Sequence, residues 1–391
     1  MSQSIYFQVA LDSFQTRWMN ALRAVGAVGL GLLVLSVLLR RLEWGTLADL
    51  IFYPGALLGA ANVVWVYALP ALCMSALYSV TAFFLYVLNM LHVLVLQRNN
   101  EELVYYQTRY MYMRVRLFLY ALGISDRVPH VDLYARNGGV RGFELQFRTA
   151  TEIPVIRVLI RLIILIVLAL CAFAALRIFE WAIEFHTITA VLAGIVGGFA
   201  GLLIAVYLLS IVFIWIYNAF SGQYPTWLVD FHLRLMRLRL TIESYFNLTI
   251  NRPEEFRGAL RSVLDEEPPA DRGQNDWINP ADPRRVDINL VALMLLVFTT
   301  GGLYLLIWLA RTAGIMGDDP FTIMMVCILG GLLPLSIMFA RYYRRLEKKA
   351  GQEPGVLLEL IMILPFVNLI CGPFLIQYFF NLTRRSARRS D

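Results

Sequence analysis

Residues 99–131 and 224–256 are two versions of one segment, in register at a constant offset of 125 positions. Arg109 matches Arg234, Arg114 matches Arg239, Tyr120 matches Tyr245, and Asp126-Arg127 matches Asn251-Arg252. Both carry one apolar stripe: Leu103, Tyr106, Tyr110, Met113, Leu117 and Tyr120 against Leu228, Phe231, Leu235, Leu238, Ile242 and Tyr245. Apolar positions alternating three and four residues apart mark one helix face. Each copy follows two long apolar segments. The pattern predicts a duplicated unit: a two-span hairpin, then an amphipathic helix.

Composition points the same way. Hydrophobic residues make up 59 % of the chain and charged ones 16 %, against about 25 % charged in soluble domains. Runs such as 162–176 and 191–216 lie in segments long enough for a bilayer crossing, which takes ~20 residues. A large soluble bundle is excluded on that ground. The expected class is an all-α, polytopic helical membrane protein. Its net charge of +6 is nearly all arginine, with Lys348 and Lys349 the only lysines. A GC-rich bacterial genome accounts for that bias; bidentate contact with lipid phosphates is the alternative. Cys73, Cys171, Cys327 and Cys371 sit in apolar segments without a C-x-x-C pair, so they read as small hydrophobes rather than disulfides or metal ligands. Residues 1–22 contain Asp12 and Arg17 and do not read as a cleavable signal peptide.

Three parts follow in order. Unit one runs from 1 to about 150. Tyr6, Phe7, Phe14 and Trp18 suggest a short interfacial helix ahead of spans at about 22–41 and 71–96. The apolar stretch 51–70 fits an extra half-span or a lid helix. An amphipathic helix at about 99–122 closes the unit. Unit two, 151–257, has spans at about 155–180 and 188–218 and an amphipathic helix at about 225–249. Residues 258–286 are rich in Pro, Asp and Gly and have the composition of a polar cytoplasmic linker. The C-terminal membrane region, 287–391, has spans at about 287–310 and 321–341 and a last apolar stretch, 354–382.

The segment 98–157 carries nine arginines, while the opposite loops hold few. The positive-inside rule therefore puts both amphipathic helices and the C-terminus in the cytoplasm of a bacterial inner membrane. Both flanks of 354–382 are basic, which favours a re-entrant hairpin over a single span; Pro365, Gly372 and Pro373 would break it.

Candidate functional residues are few. An interfacial helix can bury its stripe among headgroups and offer arginines to anionic lipid or to a partner. Arg109, Arg114, Tyr224, Trp227, Arg234, Arg237, Arg239 and Tyr245 are the candidates for that contact. The plainer reading is that these helices cap the bundle. Pro225 suits a helix start because it lacks an amide proton. Asn99 and Asn100 stand where Tyr224 and Pro225 would be, so the first copy keeps the stripe and loses the turn. Glu359 and Asn368 are the intramembrane polar candidates, a carboxylate there being a functional hypothesis by default. The four histidines are not matched in depth for haem. No H-E-x-x-H, G-x-S-x-G or P-loop occurs. The glycines 194, 197, 198 and 201 read as a helix-packing stripe.

At YPTWLVDFHLRLMRLRLTIESYFNLTINRPEEF (224–256) the chain resembles a family of bacterial multi-pass membrane domains of unknown function. Tyr224, Pro225, Leu228, Asp230, Phe231, Arg237, Tyr245 and Phe256 carry the likeness. Asn251-Arg252-Pro253-Glu254-Glu255 departs from that family's acidic and double-proline close. The first copy is a degenerate match. TTGGLYLLIW (299–308) is similar to a second family of small membrane domains with a Thr-x-Gly-x-Tyr…Trp pattern. Neither resemblance implies an activity. The expected function is a non-catalytic scaffold or accessory subunit of a membrane complex. It would act as a homo-oligomer or within a larger assembly, contacting lipid and binding neither cofactor, metal nor nucleic acid. The alternative is lipid handling or small-solute transport, since duplicated units recur in transporters.

Overall fold

The computed structural model describes residues 5–11, 16–125, 127, 130–134, 143–149, 153–185, 187–250, 262–264, 277–278, 280, 288–330, 332–350 and 371–382. Helices dominate. In chain order they are α1 (Arg17–Arg41), α2 (Gly45–Gly59), α3 (Val63–Val66), α4 (Leu69–Leu96), α5 (Glu101–Ala121), α6 (Val155–Phe185), α7 (Thr187–Ser221), α8 (Thr226–Phe246), α9 (Leu290–Thr299), α10 (Leu303–Met316), α11 (Pro320–Gly330) and α12 (Leu332–Ala350). Residues 371–382 are helical as well. Among the described residues four stretches are long and apolar enough to cross a membrane: α1, α4, Val155–Arg177 of α6 and Gly194–Ser221 of α7.

Two expectations change. The N-terminal segment is a strand, not a short helix. β1 (Ile5–Val9) pairs antiparallel with β2 (Phe143–Arg148), which pairs with β3 (Trp277–Ile278). Ile5, Phe7 and Val9 alternate inward against Phe143, Leu145 and Phe147, a period of two that is hard to see over so short a run. The fifth expected span is two short helices, broken at Thr300-Gly301-Gly302, where both glycines take positive φ of 58° and 87°. At ~1.5 Å per residue neither piece reaches across a ~30 Å hydrocarbon core. The stretch 45–66 is helical, as α2, a 3-10 turn and α3, and packs on α1. Of the expected hairpin at 354–382, only 371–382 falls among the described residues.

Close approach explains the α1–α2 pair. A Cβ built on Gly29 would overlap the Gly59 main chain, and one on Gly55 would come within 3.0 Å of Leu33 N. Small residues let two helix backbones meet in this way. Asn62 Nδ2 donates to Gly26 O and Gly59 O, both at 2.9 Å. Arg40 and Asp49 form an ion pair at the other end.

Helix α5 is the centre of the molecule. Fifteen of its 21 residues are buried, so it presents no broad face to solvent or lipid. One side, with Tyr106, Tyr110 and Met113, joins α4, α9, α10, α12 and 371–382 in a core containing Tyr78, Tyr304, Trp308 and Tyr343. The other, with Met111, Val115 and Leu119, meets the sheet and Leu233, Met236 and Leu240 of α8. Helix α8 is less enclosed: Trp227, Phe231, Leu235 and Ile242 of its stripe side remain exposed.

Substituting Gly29 by Leu is expected to prise α2 from α1. Overpacking of this kind costs about 1–3 kcal/mol, read as a lower melting temperature in detergent. Gly31→Leu is the control, because a Cβ there meets nothing within 4 Å.

Candidate functional site

Helices α5 and α8 end alike. After α5 the chain turns through Gly123 at φ +77°, and Ile124 N and Ser125 N both donate to Leu119 O, at 3.0 and 3.2 Å. After α8 it turns through Leu248 at φ +62°, and Thr249 N and Ile250 N both donate to Ser244 O, at 2.9 and 3.2 Å. Every pair of positions differs by the sequence offset. Glycine is the usual residue in this left-handed cap. Leu248 holds it with a fully buried side chain, packed on Val93, Ile153 and Val158.

A buried arginine closes on each cap. Arg23, the seventh residue of α1, donates from Nη2 to Ser125 O at 3.2 Å and lies 4.4 Å over the Tyr120 ring. Arg161, the seventh residue of α6, donates from Nη2 to Ile250 O at 3.0 Å and lies 4.2 Å over the Tyr245 ring. Both are essentially inaccessible. A charge buried there must be paired or hydrogen-bonded, and a desolvated ring beneath a guanidinium adds about 2 kcal/mol.

The two caps are also tied across the chain. Gly123 O accepts from Thr16 Oγ1 at 2.8 Å, Asn20 Nδ2 at 2.9 Å and Tyr224 OH at 2.9 Å. Leu248 O accepts from Asn99 Nδ2 at 2.9 Å. Tyr224 and Asn99 are equivalent positions, so each turn donates to the other segment's cap. Asn20 and Asn218 bridge α1 to α7 at 2.9 Å, and Val158 of α6 meets Val93 of α4. The first copy has therefore not lost its turn. Asn99 does the work of Tyr224, and the Asn100 side chain caps α5, accepting from Glu102 N and Leu103 N at 3.1 and 3.3 Å.

A third correspondence joins each helix to the one before it. Gln107 Nε2 donates to Ala82 O at 2.6 Å. At the offset positions the His232 ring lies 4.7 Å from the Tyr207 ring, and its Nε2 is 2.8 Å from Ser210 Oγ. Burial pushes the His232 pKa down to about 4.

The sequence candidates divide by accessibility. Arg109 and Arg237 are 3 % and 2 % exposed. Arg109 donates to Tyr105 OH and Leu133 O; Arg237 Nη2 donates to Ile5 O at 3.2 Å, pinning β1 on α8. Arg114 Nη1 reaches both oxygens of Glu243 at 2.7 and 2.8 Å. Tyr224 and Tyr245 belong to the caps. Trp227 is exposed. Arg234 pairs with Asp230 and Arg239 with Glu243, yet their side chains remain 43 % and 61 % exposed. Asp230 also accepts from Ser262 Oγ and Val263 N. Glu359 and Asn368 lie outside the described residues, as does His186. Sequence reasoning passed over Arg23, Asn20 and Asn218; the available signal was the shared seventh position of Arg23 and Arg161. Among the described residues no three His, Cys, Asp or Glu side chains are grouped to hold a metal.

The chain matches no family model, no curated protein sequence and no solved structure. The arrangement of the caps is thus read from their own geometry.

Tyr120→Leu and Tyr245→Leu are expected to destabilise the fold to a similar extent, each by about 2 kcal/mol from the lost ring contact alone, whereas Tyr→Phe at either position keeps the ring. Thermal melts of the four variants in one detergent check this. A second expectation concerns acid. His232 sits below its ordinary value near 6.5, so the unfolded chain binds the proton more readily. Its contribution to stability is complete above pH ~6.5 and falls away as pH drops towards 4. His232→Gln, the residue at the equivalent position 107, should flatten that part of the pH–stability profile.

Proposed function

We propose that this chain is a non-catalytic integral protein of the bacterial inner membrane, a scaffold or accessory subunit built from two tandem units. Each unit holds a membrane hairpin and ends in a cytoplasmic helix, and a pseudo-two-fold axis along the membrane normal relates the two cytoplasmic helices and their caps. One observation carries the reading: the reciprocal donation of Asn99 to Leu248 O and of Tyr224 to Gly123 O. Two units exchanging equivalent hydrogen bonds behave as an internal dimer, with the two-fold geometry common among oligomers. Buried polarity supports the scaffold role, because Arg23, Arg161 and Arg237 all donate to main-chain carbonyls of distant elements. Such contacts hold elements together.

Lipid contact is assigned to α8. Its exposed Trp227, Phe231, Leu235 and Ile242 share a helix with the half-exposed Arg234 and Arg239. An apolar side flanked by cations suits an interface helix on an anionic leaflet. The resemblance to multi-pass domains of unknown function is part of this proposal and adds no activity to it.

Extraction in native membrane discs followed by mass spectrometry tests the role. A stoichiometric partner or a defined homo-oligomer supports a complex subunit. A lone chain carrying one enriched lipid class moves the assignment to lipid handling. A basic residue near an anionic surface contributes about 1 kcal/mol. Arg234→Gln with Arg239→Gln should therefore lower co-purified anionic lipid by roughly thirtyfold, with the melting temperature unchanged.

A further inference from the structure

We propose that α4 does not cross the bilayer. It lies in the cytoplasmic leaflet with its outer face bedded in acyl chains, and the return crossing of the first unit is made by α2 and α3. The inference rests on the membrane reading above.

The contacts at the two ends of α4 carry it. At its start, Trp65 of α3 stacks edge-on against Tyr120 at 5.6 Å and lies 5.9 Å from Trp215. Trp215 Nε1 donates to Ala121 O at 3.0 Å, close to the end of α7. Tyr120 is held by Arg23, near the start of α1. At the far end of α4, Val93 packs on Val158 near the start of α6, and Ile153 N donates to Gln97 O at 3.2 Å. The start of α1 is joined to the end of α7, since Arg17 Nε donates to Ala219 O at 2.8 Å. Helices α6 and α7 form a hairpin, so the start of α6 and the end of α7 share one face of the membrane. Both ends of α4 therefore lie near that face. At ~1.5 Å per residue its 28 residues extend about 42 Å along the surface. The same two end points are joined by α5 and by α8.

Surface chemistry agrees. Residues 69–96 contain no Asp, Glu, Lys or Arg. One side of α4 exposes Leu69, Leu72, Val80, Phe84, Leu88, Leu91 and Val95 along its whole length. The opposite side holds its polar groups under α5 and α9: Tyr78 OH donates to Val131 O at 2.8 Å, Thr81 meets Thr299 at 2.5 Å, and Asn89 Nδ2 donates to Asn99 Oδ1 at 3.1 Å. An uncharged side without polar partners fits hydrocarbon, and the covered side faces protein. The N-terminal half of α7 lacks this covered side at the equivalent positions. Ala71, Met74 and Tyr78 are buried, whereas Val196, Phe199 and Leu203 are exposed.

The return path is long enough. From Gly45 to Val66 the chain runs as α2, a 3-10 turn and α3. At ~1.5 Å per residue this covers roughly the 30 Å of a hydrocarbon core. Asp49 is its single charge and pairs with Arg40.

The test uses the full-length chain with its four cysteines replaced by alanine, and single cysteines at Leu42, Tyr67 and Arg98. An impermeant maleimide is applied to sealed vesicles of each orientation. Labelling of Tyr67→Cys and Arg98→Cys from the cytoplasmic face, and of Leu42→Cys from the other, is the expected result. Labelling of Tyr67→Cys and Arg98→Cys from opposite faces would overturn the inference and leave the membrane reading intact. Release of the protein by alkaline carbonate would instead remove the membrane reading itself. Spin labels at Leu72, Val80, Leu88 and Val95 give a second readout. A flat helix shows one uniform depth, and a crossing helix shows a maximum in the middle.

Discussion

The structure depends on two guanidinium groups in places where water cannot reach them. Arg23 and Arg161 sit seven residues into apolar helices, with their side chains buried. An isolated charge there would cost several kcal/mol, so each must bring a carbonyl and an aromatic face to itself. The carbonyl is that of Ser125 or Ile250, and the ring is Tyr120 or Tyr245. Meeting both needs forces the end of a long helix to lie against the start of an apolar one. Once that is done in both halves of the chain, the positions of α5 and α8 are set, and the sheet and C-terminal helices pack around them.

The two halves meet the same demand with different chemistry. Gly123 takes a left-handed cap at little cost. Leu248 takes it too, and its strain is offset by complete burial among Val93, Ile153 and Val158. Tyr224 and Asn99 both reach the opposite cap, one with a hydroxyl and one with an amide. Gln107 and His232 both reach the preceding helix. What the two share is the position of a donor or a ring, not its identity.

That distinction governs how much could be read in advance. The stripe from Leu103 to Tyr120 and from Leu228 to Tyr245 places both helices within a few residues, because the period of a helix face is written in single residues. The fate of the stripe is not. Leu103, Tyr106 and Tyr110 meet protein, whereas Phe231, Leu235 and Ile242 stay exposed; only the presence of α9, α10 and α12 on one side decides between them. The arginine candidates divide for the same reason. Arg109 and Arg237 look like Arg234 and Arg239 in sequence, but a carbonyl of a distant residue waits for the first two. Arg23 was the least visible of all: beside Asn20 on its own helix, the carbonyl and ring it meets lie about a hundred positions away. The break at Gly301-Gly302 was present in the sequence yet masked by the apolar run around it.

Asymmetry between the halves has one source. The first unit carries α2 and α3 between its two long apolar helices; the second joins α6 to α7 directly. With α2 packed on α1 through Gly29, Gly55 and Gly59, α4 lies along α5. Its inner side then acquires polar residues that a lipid-facing helix could not carry, Tyr78, Thr81 and Asn89 among them. Two of them meet the C-terminal helices: Thr81 bonds Thr299 of α9, and the Tyr78 ring packs edge-on against Tyr304 of α10. In α7 the positions equivalent to Tyr78, Thr81 and Asn89 are Leu203, Val206 and Ile214, so those contacts have no counterpart there. The C-terminal helices thus pack against α4 and α5, on the side of the molecule that carries Tyr78 and Thr81.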